Sequence, residues 1–382
     1  MKEIIKNIIF KILVLPFYVF RIFKIKNNRI IFSSFDGHDY GENPKYICEE
    51  LIKKIEQYDI YWSINNNYNN LPKNVKPVKI YSLKWFYIMS TSKVWINDSR
   101  FPLFVKKRKE QYYIQTWHSS LRLKKIEKDV EKSLGEAYIK KAKHDSKMID
   151  IITCGSGFSE NTYKKSFWYD GKVTMTGTPK FDIYFNKNEK NKIKEKIYKK
   201  YKIKNNKKVI LYAPTFRSNI DNFSGNIDFS KLESNEKLMN DYIFLVRLHP
   251  ESKNIKFNNK NVINVTEYPN FQDLLISSDM LITDYSGCCF DTLVANVPCI
   301  LYVPDYEEYI KKERNLYFEY SELPFLITKD LNELVNNILN INIKTYELKI
   351  EKFKEKVSLF EDGKASSRIV KIKNEVMKNE KI

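Results

Sequence analysis

From residue 29 onward the chain alternates short apolar runs with amphipathic stretches. Residues 29–35, 59–64, 93–97 and 111–117 read as buried strands, with 44–55 helical between the first two. Runs at 149–154 and 172–176 continue the series, and the latter ends in the turn signal Gly177-Thr178-Pro179. A second series covers 208–213, 242–248, 262–265, 280–283 and 299–303. Unbroken apolar strands separated by helices predict parallel sheets covered by helices on both faces. Between the two series lies a Lys-rich stretch, so two α/β halves joined near 186–207 are expected. Residues 344–379 are helical and charged, interrupted around Asp362-Gly363.

The N-terminus has a different pattern. Residues 8–23 are apolar apart from Lys11 and Arg21, and the uninterrupted run between those two is nine residues, well short of the roughly 18 that span a bilayer. No small-residue cleavage site follows, as a signal peptide would require. Lys2, Lys6, Lys11, Arg21, Lys24 and Lys26 flank Phe10, Phe17, Tyr18, Phe20 and Phe23. The expectation is an in-plane amphipathic anchor on an anionic leaflet over residues 1–26; the alternative is a helix packed on the protein's own surface.

Composition narrows the class. In 382 residues, 43% hydrophobic and 14% aromatic positions exclude low-complexity disorder, and the length suits two domains with their own cores. Five cysteines without CxxC spacing, among four histidines, read as reduced thiols in a cytosolic protein. The formal charge of +19 is clustered: residues 1–30 carry seven Lys or Arg against one Glu, and 186–208 carry eleven Lys against two Glu. Nucleic acid, an anionic membrane and a phosphate-rich substrate all suit such a surface. No zinc finger, RNA-recognition signature or basic zipper is present, which argues against nucleic acid as a partner.

In open α/β sheets ligands bind beyond the carboxyl ends of the strands, so polar residues after apolar runs are the candidate site. His118 follows one strand and precedes Ser119, Ser120, Arg122, Lys124 and Lys125. A neutral imidazole there could take a proton from a hydroxyl while the cations hold phosphate. Alternatively the histidine caps a helix running toward Asp129. Strand alternation sends Arg247 and His249 to one side, and Pro250 ends that ladder, giving two donors suited to an anion. The run into Thr283-Asp284-Tyr285-Ser286-Gly287 opens an apolar helix whose first N–H groups suit a phosphate, unless Ser286 or Asp284 merely caps it. Thr215 and Arg217 place a hydroxyl and a guanidinium after a fourth strand. No carboxylate cluster with ligand spacing is visible; the sequence requires no cofactor, and loosely bound magnesium remains compatible with it.

Taken in order, these segments resemble the CDP-glycerol glycerophosphotransferase family of teichoic-acid and related bacterial polymer synthesis. The similarity runs from about residue 29 through SSFDGHDYGENPKYI, QTWH, GTPKFD, LYAPTFR, RLHP, LLISSDMLITDYSG and VPD to DGKASSR. It implies a glycosyltransferase-B fold: two Rossmann-like domains with parallel sheets facing across a cleft. On that basis the division is a membrane-associating segment 1–26, an acceptor-side domain 27–200, a CDP-donor domain 201–343 and C-terminal helices 344–382 packing back on the N-terminal domain. The resemblance makes His118 and His249 the catalytic histidines, and assigns Thr215, Arg217, Arg247, Asp284, Ser286, Gly287, Asp291 and Lys124 to substrate. Asp291 would orient the donor ribose or cap a turn. The chain departs from the family pattern at Ser119-Ser120-Leu121, at Lys180 where arginine is usual, at Gly287 where a second serine is usual, and at Glu322-Leu323-Pro324-Phe325.

The reaction so implied is attack of an acceptor hydroxyl on the β-phosphorus of CDP-glycerol, releasing CMP, with a cell-wall or capsular glycan or a lipid-linked saccharide as acceptor. The expected location is the cytoplasmic face of the bacterial membrane, held peripherally. A nearer alternative retains the fold and takes CDP-ribitol or a sugar nucleotide. A non-enzymatic alternative is a basic membrane-surface or nucleic-acid-binding protein, which has no reason to place His, Arg, Thr and Ser after successive strands.

Overall fold

A computed structural model describes residues 2–53, 58–65, 71–119, 121–215, 227–232, 234–248, 257, 259–312 and 316–378. The chain divides into two compact units. The first contains residues 1–120, 126–182 and 360–382; the second contains 121–125 and 183–359.

Among the described residues of the first unit, seven strands form a parallel sheet in the order β3-β2-β1-β4-β5-β6-β7. They are β1 (Lys26–Ser33), β2 (Asp59–Ile64), β3 (Val75–Lys79), β4 (Ser92–Asn97), β5 (Tyr112–Gln115), β6 (Ile151–Cys154) and β7 (Lys172–Met175). The second unit holds β8 (Lys208–Tyr212), β9 (Tyr242–Val246), β10 (Val262–Asn264), β11 (Met280–Thr283), β12 (Cys299–Tyr302) and β13 (Leu326–Thr328). Its order is β10-β9-β8-β11-β12-β13, also parallel. Both sheets are doubly wound, with the strand order reversing beside the first strand of each unit. The expected α/β class with two Rossmann-like parallel sheets is therefore observed. Strands β3 and β13 were not foreseen: β3 carries Pro77 and two exposed lysines, and β13 has three residues, so neither makes an apolar run.

The central strands are buried on both faces. Ile30, Phe32, Val94 and Ile96 face one layer with Ile47, Cys48 and Leu51, while Ile31 and Trp95 face the other with Trp85, Phe86 and Met89. The last helix, Ala365–Lys378, returns to the first unit and adds Ile369 and Val370 to the layer formed by helix Glu42–Ile52.

The N-terminal helix, Lys2–Val19, packs one side on the first unit. Phe17 is fully buried, edge-on to Trp85 at 6.0 Å and Phe86 at 5.2 Å, and Leu13 and Phe20 pack on the same core. Ile12, Leu15, Val19 and Ile22, spaced three and four apart, stay exposed on the opposite side. No helix among the described residues is long and apolar enough to cross a membrane.

The Lys-rich stretch read as a junction is a regular helix, Lys187–Tyr201. Asn186 caps it by accepting from Glu189 N, Ile197 is buried, and Lys202 ends it in the left-handed conformation. Lysine and glutamate are good helix formers, and one buried position suffices to seat the helix.

Candidate active site

In each unit a buried aspartate spans the point where the strand order reverses, and candidate site residues follow the strands there or the strands next to them. In the first unit Asp98 follows β4. Its carboxyl accepts from Ser34 Oγ at 2.6 Å, Phe35 N at 2.9 Å and Ser99 Oγ at 2.8 Å, tying the end of β4 to the end of β1. Burial pushes Asp98 up to about 7, against the lowering effect of those three donors. In the second unit Asp284 follows β11. Its Oδ1 accepts from Thr215 N at 2.8 Å, Thr215 Oγ1 at 2.7 Å and Tyr285 N at 2.6 Å, tying β11 to the end of β8. Asp98 was missed by the sequence reading, although the rule that selected His118 and Asp284 applies equally to it: it is the first carboxylate after an apolar run.

His118 stands three residues beyond β5, after a turn in which Trp117 adopts the left-handed conformation (φ 49°). That conformation is costly for a bulky residue and persists only where the surroundings impose it. Here they do. Trp117 N donates to Gln115 Oε1 at 2.8 Å, and the indole lies at 4.6 Å from the His118 ring and at 4.8 Å from Phe167. The Arg100 guanidinium covers both Phe167 and Trp117 and is itself held by Glu127 and Asp145.

The His118 ring is partly buried, with Nδ1 3.4 Å from the Asp98 carbonyl oxygen. A carbonyl can only accept, so Nδ1 carries the hydrogen in the neutral ring and Nε2 carries the lone pair. The ring is thus oriented as a base. Lys180 Nζ donates to the His118 carbonyl at 3.1 Å. The helix expected toward Asp129 is instead a 3-10 segment, Glu127–Ser133, preceded by residues 121–125, which group with the second unit. Polar and β-branched residues with a kink at Val130 do not sustain an α-helix there. Lys124 therefore shares a unit with the TDYSG segment rather than with His118: it bridges to Leu316, and its amine lies 5.2 Å from the Tyr309 ring centre.

Beyond Asp284 the expected apolar helix is a short 3-10 turn, Gly287–Phe290, followed by helix Asp291–Ala295, which ends at left-handed Asn296. Two short pieces give a weaker dipole than one continuous helix. Ser286 caps the turn, its Oγ accepting from Cys288 N at 3.4 Å. Gly287 is not demanded by packing, since a Cβ there would meet only the Leu121 carbonyl at 3.9 Å. Asp291 is buried and accepts from Gln272 Nε2 at 3.0 Å. Its place in the first turn of helix Asp291–Ala295 sets its charge at the positive end of the helix dipole. Arg247 lies just past β9, with Nη2 3.5 Å from the Pro269 carbonyl and the guanidinium 5.6 Å from the Phe271 ring centre. Arg217 and His249 lie outside the described residues. Among the described residues no group of three or more His, Cys, Asp or Glu side chains could hold a metal ion.

Comparison with known proteins adds to this geometry. A family model described as CDP-Glycerol:Poly(glycerophosphate) glycerophosphotransferase matches residues 15–373. The chain is 30% identical over 367 residues to a teichoic acid poly(glycerol phosphate) polymerase of Bacillus subtilis, covering 91% of this chain and 48% of that protein. It spans about half the length of that relative. It is 32% identical over 385 residues to a teichoic acid glycerol-phosphate transferase of Staphylococcus aureus, covering 96% of this chain and 98% of the relative. The structure of the wall teichoic acid polymerase TagF superposes with a TM-score of 0.88 at 28% identity, covering 98% of this chain and 96% of that one.

Proposed function

Because the chain belongs to the CDP-glycerol:poly(glycerophosphate) glycerophosphotransferase family, we propose that it transfers glycerol phosphate from CDP-glycerol to a hydroxyl of a teichoic-acid-type or related glycan acceptor. The acceptor oxygen attacks the β-phosphorus, the new P–O bond forms there, and the bridging P–O bond breaks. CMP leaves with the bonding electrons. His118 Nε2 receives the hydroxyl proton, while Nδ1 stays protonated toward the Asp98 carbonyl. Phosphoryl transfer depends on positioning and on offsetting charge rather than on covalent help from the protein. Arg217, His249, Arg247 and Lys124 supply that positive charge, and the Ser286-Gly287 turn supplies backbone N–H groups near the donor pyrophosphate. The small residue at Gly287 suits close approach by a phosphate, since the protein's own packing leaves the site of its Cβ open. Asp284 and Thr215 act together, fixing the turn by their mutual hydrogen bonds.

The observation that carries this reading is the family match over residues 15–373, which encloses both strand-order reversals and every motif placed at them. The test is CMP release by the purified chain from CDP-glycerol and, in parallel, CDP-ribitol, with a synthetic lipid-linked saccharide ending in glycerol phosphate as acceptor. Mass analysis of the product distinguishes one addition from many. No CMP from either donor with that acceptor, or with free glycans, would refute the assignment.

The reading extends to location. The exposed stripe Ile12, Leu15, Val19 and Ile22, beside Lys11, Arg21 and Lys24, supports peripheral docking of the first unit on the anionic cytoplasmic leaflet. Docked through Phe17, the helix would present this stripe as a fixed part of the protein surface.

A further inference from the structure

Three successive carbonyls lead to the catalytic imidazole, those of Thr116, Trp117 and His118, and side chains from outside the turn hold all three. Asn43, fully buried near the start of helix Glu42–Ile52, donates from Nδ2 to Trp117 O at 2.8 Å and to Thr116 O at 3.3 Å. Lys180, also buried, donates from Nζ to His118 O at 3.1 Å. The two are joined to each other, since Asn43 Oδ1 accepts from Lys180 N at 3.2 Å. Glu42 completes the set, its Oε2 3.1 Å from the Lys180 amine.

This arrangement is poorly explained as a device for stability. Taking a cation and a carboxylate out of water costs free energy that their attraction only partly returns, and an apolar side chain of the same volume often serves as well. The lysine also directs one of its donor bonds at the backbone of the residue that must be aimed. The turn needs such restraint, because Trp117 at φ 49° would relax if its carbonyl were released, and the imidazole would move with it.

Glu42 is itself held at φ 49°, next to the extended Gly41 that precedes the helix. Two left-handed residues thus face one another through the Asn43 and Lys180 bonds, and each pair restrains the other. Behind Lys180, Gly177 (φ 82°) lies so close to the last helix that a Cβ would meet the Ala365 Cβ at 3.0 Å. Thr178 donates from N and Oγ1 to Glu361, and Asp182 accepts from the Ala365 and Ser366 N–H groups.

We propose that Lys180, backed by Glu42 and Asn43, is the positioning residue of the reaction, fixing the Trp117–His118 turn so that Nε2 meets the acceptor hydroxyl. The proposal rests on His118 being the general base. A displacement of about 1 Å in a reacting group can cost up to about 10²-fold in rate. Lys180→Met, which preserves length without the donor, should therefore lower kcat for CMP release by roughly 10-fold to 100-fold while KM for CDP-glycerol changes less than about 3-fold. Lys180→Arg, whose guanidinium can still reach a carbonyl and a carboxylate, should restore most of the rate.

The deciding measurement repeats Lys180→Met in a His118→Ala background, using the full chain, CDP-glycerol and the synthetic acceptor ending in glycerol phosphate. If Lys180 acts through His118, the residual rate should change less than about 3-fold, because the group it aims is already gone. An equal loss in both backgrounds would overturn the proposal and assign Lys180 a role apart from His118. So would full activity of a folded Lys180→Met chain. Should that variant fail to fold, Asn43→Asp removes the Nδ2 donor while keeping size and Oδ1, and must show the same loss of kcat and the same dependence on His118. Near-wild-type turnover by His118→Ala alone would instead refute the general base itself, whatever Lys180 does.

Discussion

Replacing Asp98 by asparagine measures what it costs to keep a carboxyl at the strand-order reversal of the first sheet. Burial holds Asp98 up at about 7 against an ordinary 3.8, so between those values the folded chain retains a proton that the unfolded chain has lost. Where the native state binds more protons, stability falls as pH rises. The penalty is absent below about 4 and complete above about 7. The full displacement corresponds to on the order of 4 kcal/mol, more than half of which develops between pH 5 and pH 8. Asparagine retains an oxygen for the Phe35 N–H, and the Ser34 hydroxyl can rotate to accept from the new amide. Two units need not unfold together, so the suitable assay is hydrogen exchange of the Ser92–Asn97 strand, compared between variant and parent at each pH so that intrinsic rates cancel. Protection of β4 in the variant relative to the parent should rise from pH 5 to pH 8, by on the order of tens of fold. A ratio that stays flat would refute the reasoning, showing that the three donors keep the carboxylate ionised inside the fold at neutral pH.

Other consequences are open to direct measurement. His118→Ala should lower CMP release by about 10² to 10⁴-fold with CDP-glycerol affinity within a few fold, and unchanged turnover in a folded variant would remove it from the mechanism. Arg217→Ala, His249→Ala and Ser286→Ala should each weaken CDP-glycerol binding, by calorimetry, with about 1.5–3 kcal/mol lost for the charged donors; three unchanged affinities would place the nucleotide elsewhere. Phe17→Ala should destabilise the first unit by about 3–5 kcal/mol in urea titrations, whereas Ile22→Ser should stay within about 0.5 kcal/mol yet reduce sedimentation with anionic vesicles. Equal vesicle binding by Ile22→Ser and its parent, and by an Ile12→Ser companion, would argue against the exposed stripe as the docking face.

The apolar runs of the central strands announced both sheets, because strands covered on two faces have few polar positions to blur the pattern. Short or lysine-bearing strands at the sheet edges, β3 and β13, gave no such signal. At the candidate site, positions set by the end of a strand were legible: His118, Asp284 and Thr215 each stand just past one. Those whose work depends on distant partners were not. Nothing local to Asn43 tells that its amide reaches residues 116 and 117, and the sequence shows Lys180 only as a substitution in a motif. Nor does the sequence show that Asp291 is bonded by Gln272, nineteen positions earlier. The N-terminal helix carried two apolar stripes, and hydrophobicity alone could not tell which one the aromatic groove of Trp85 and Phe86 would take.

The return of residues 360–378 to the first unit sets a timetable for the newborn chain. When residue 182 leaves the ribosome, the layer of Ile47, Cys48 and Leu51 still lacks Ile369 and Val370, and the turn bearing Lys180 lacks its contacts with Glu361 and Ala365. At roughly 5–20 residues per second, the ribosome needs on the order of ten to forty seconds to supply them, during which the second unit is made in full. Throughout that interval a complete sheet lacks its last covering helix and exposes apolar surface that invites chaperones, and the Trp117–His118 turn is without the last of its braces. An incomplete polypeptide, stalled or cleaved before residue 360, would thus bear the entire candidate donor site and His118 itself, yet lack the braces from the last helix behind Lys180.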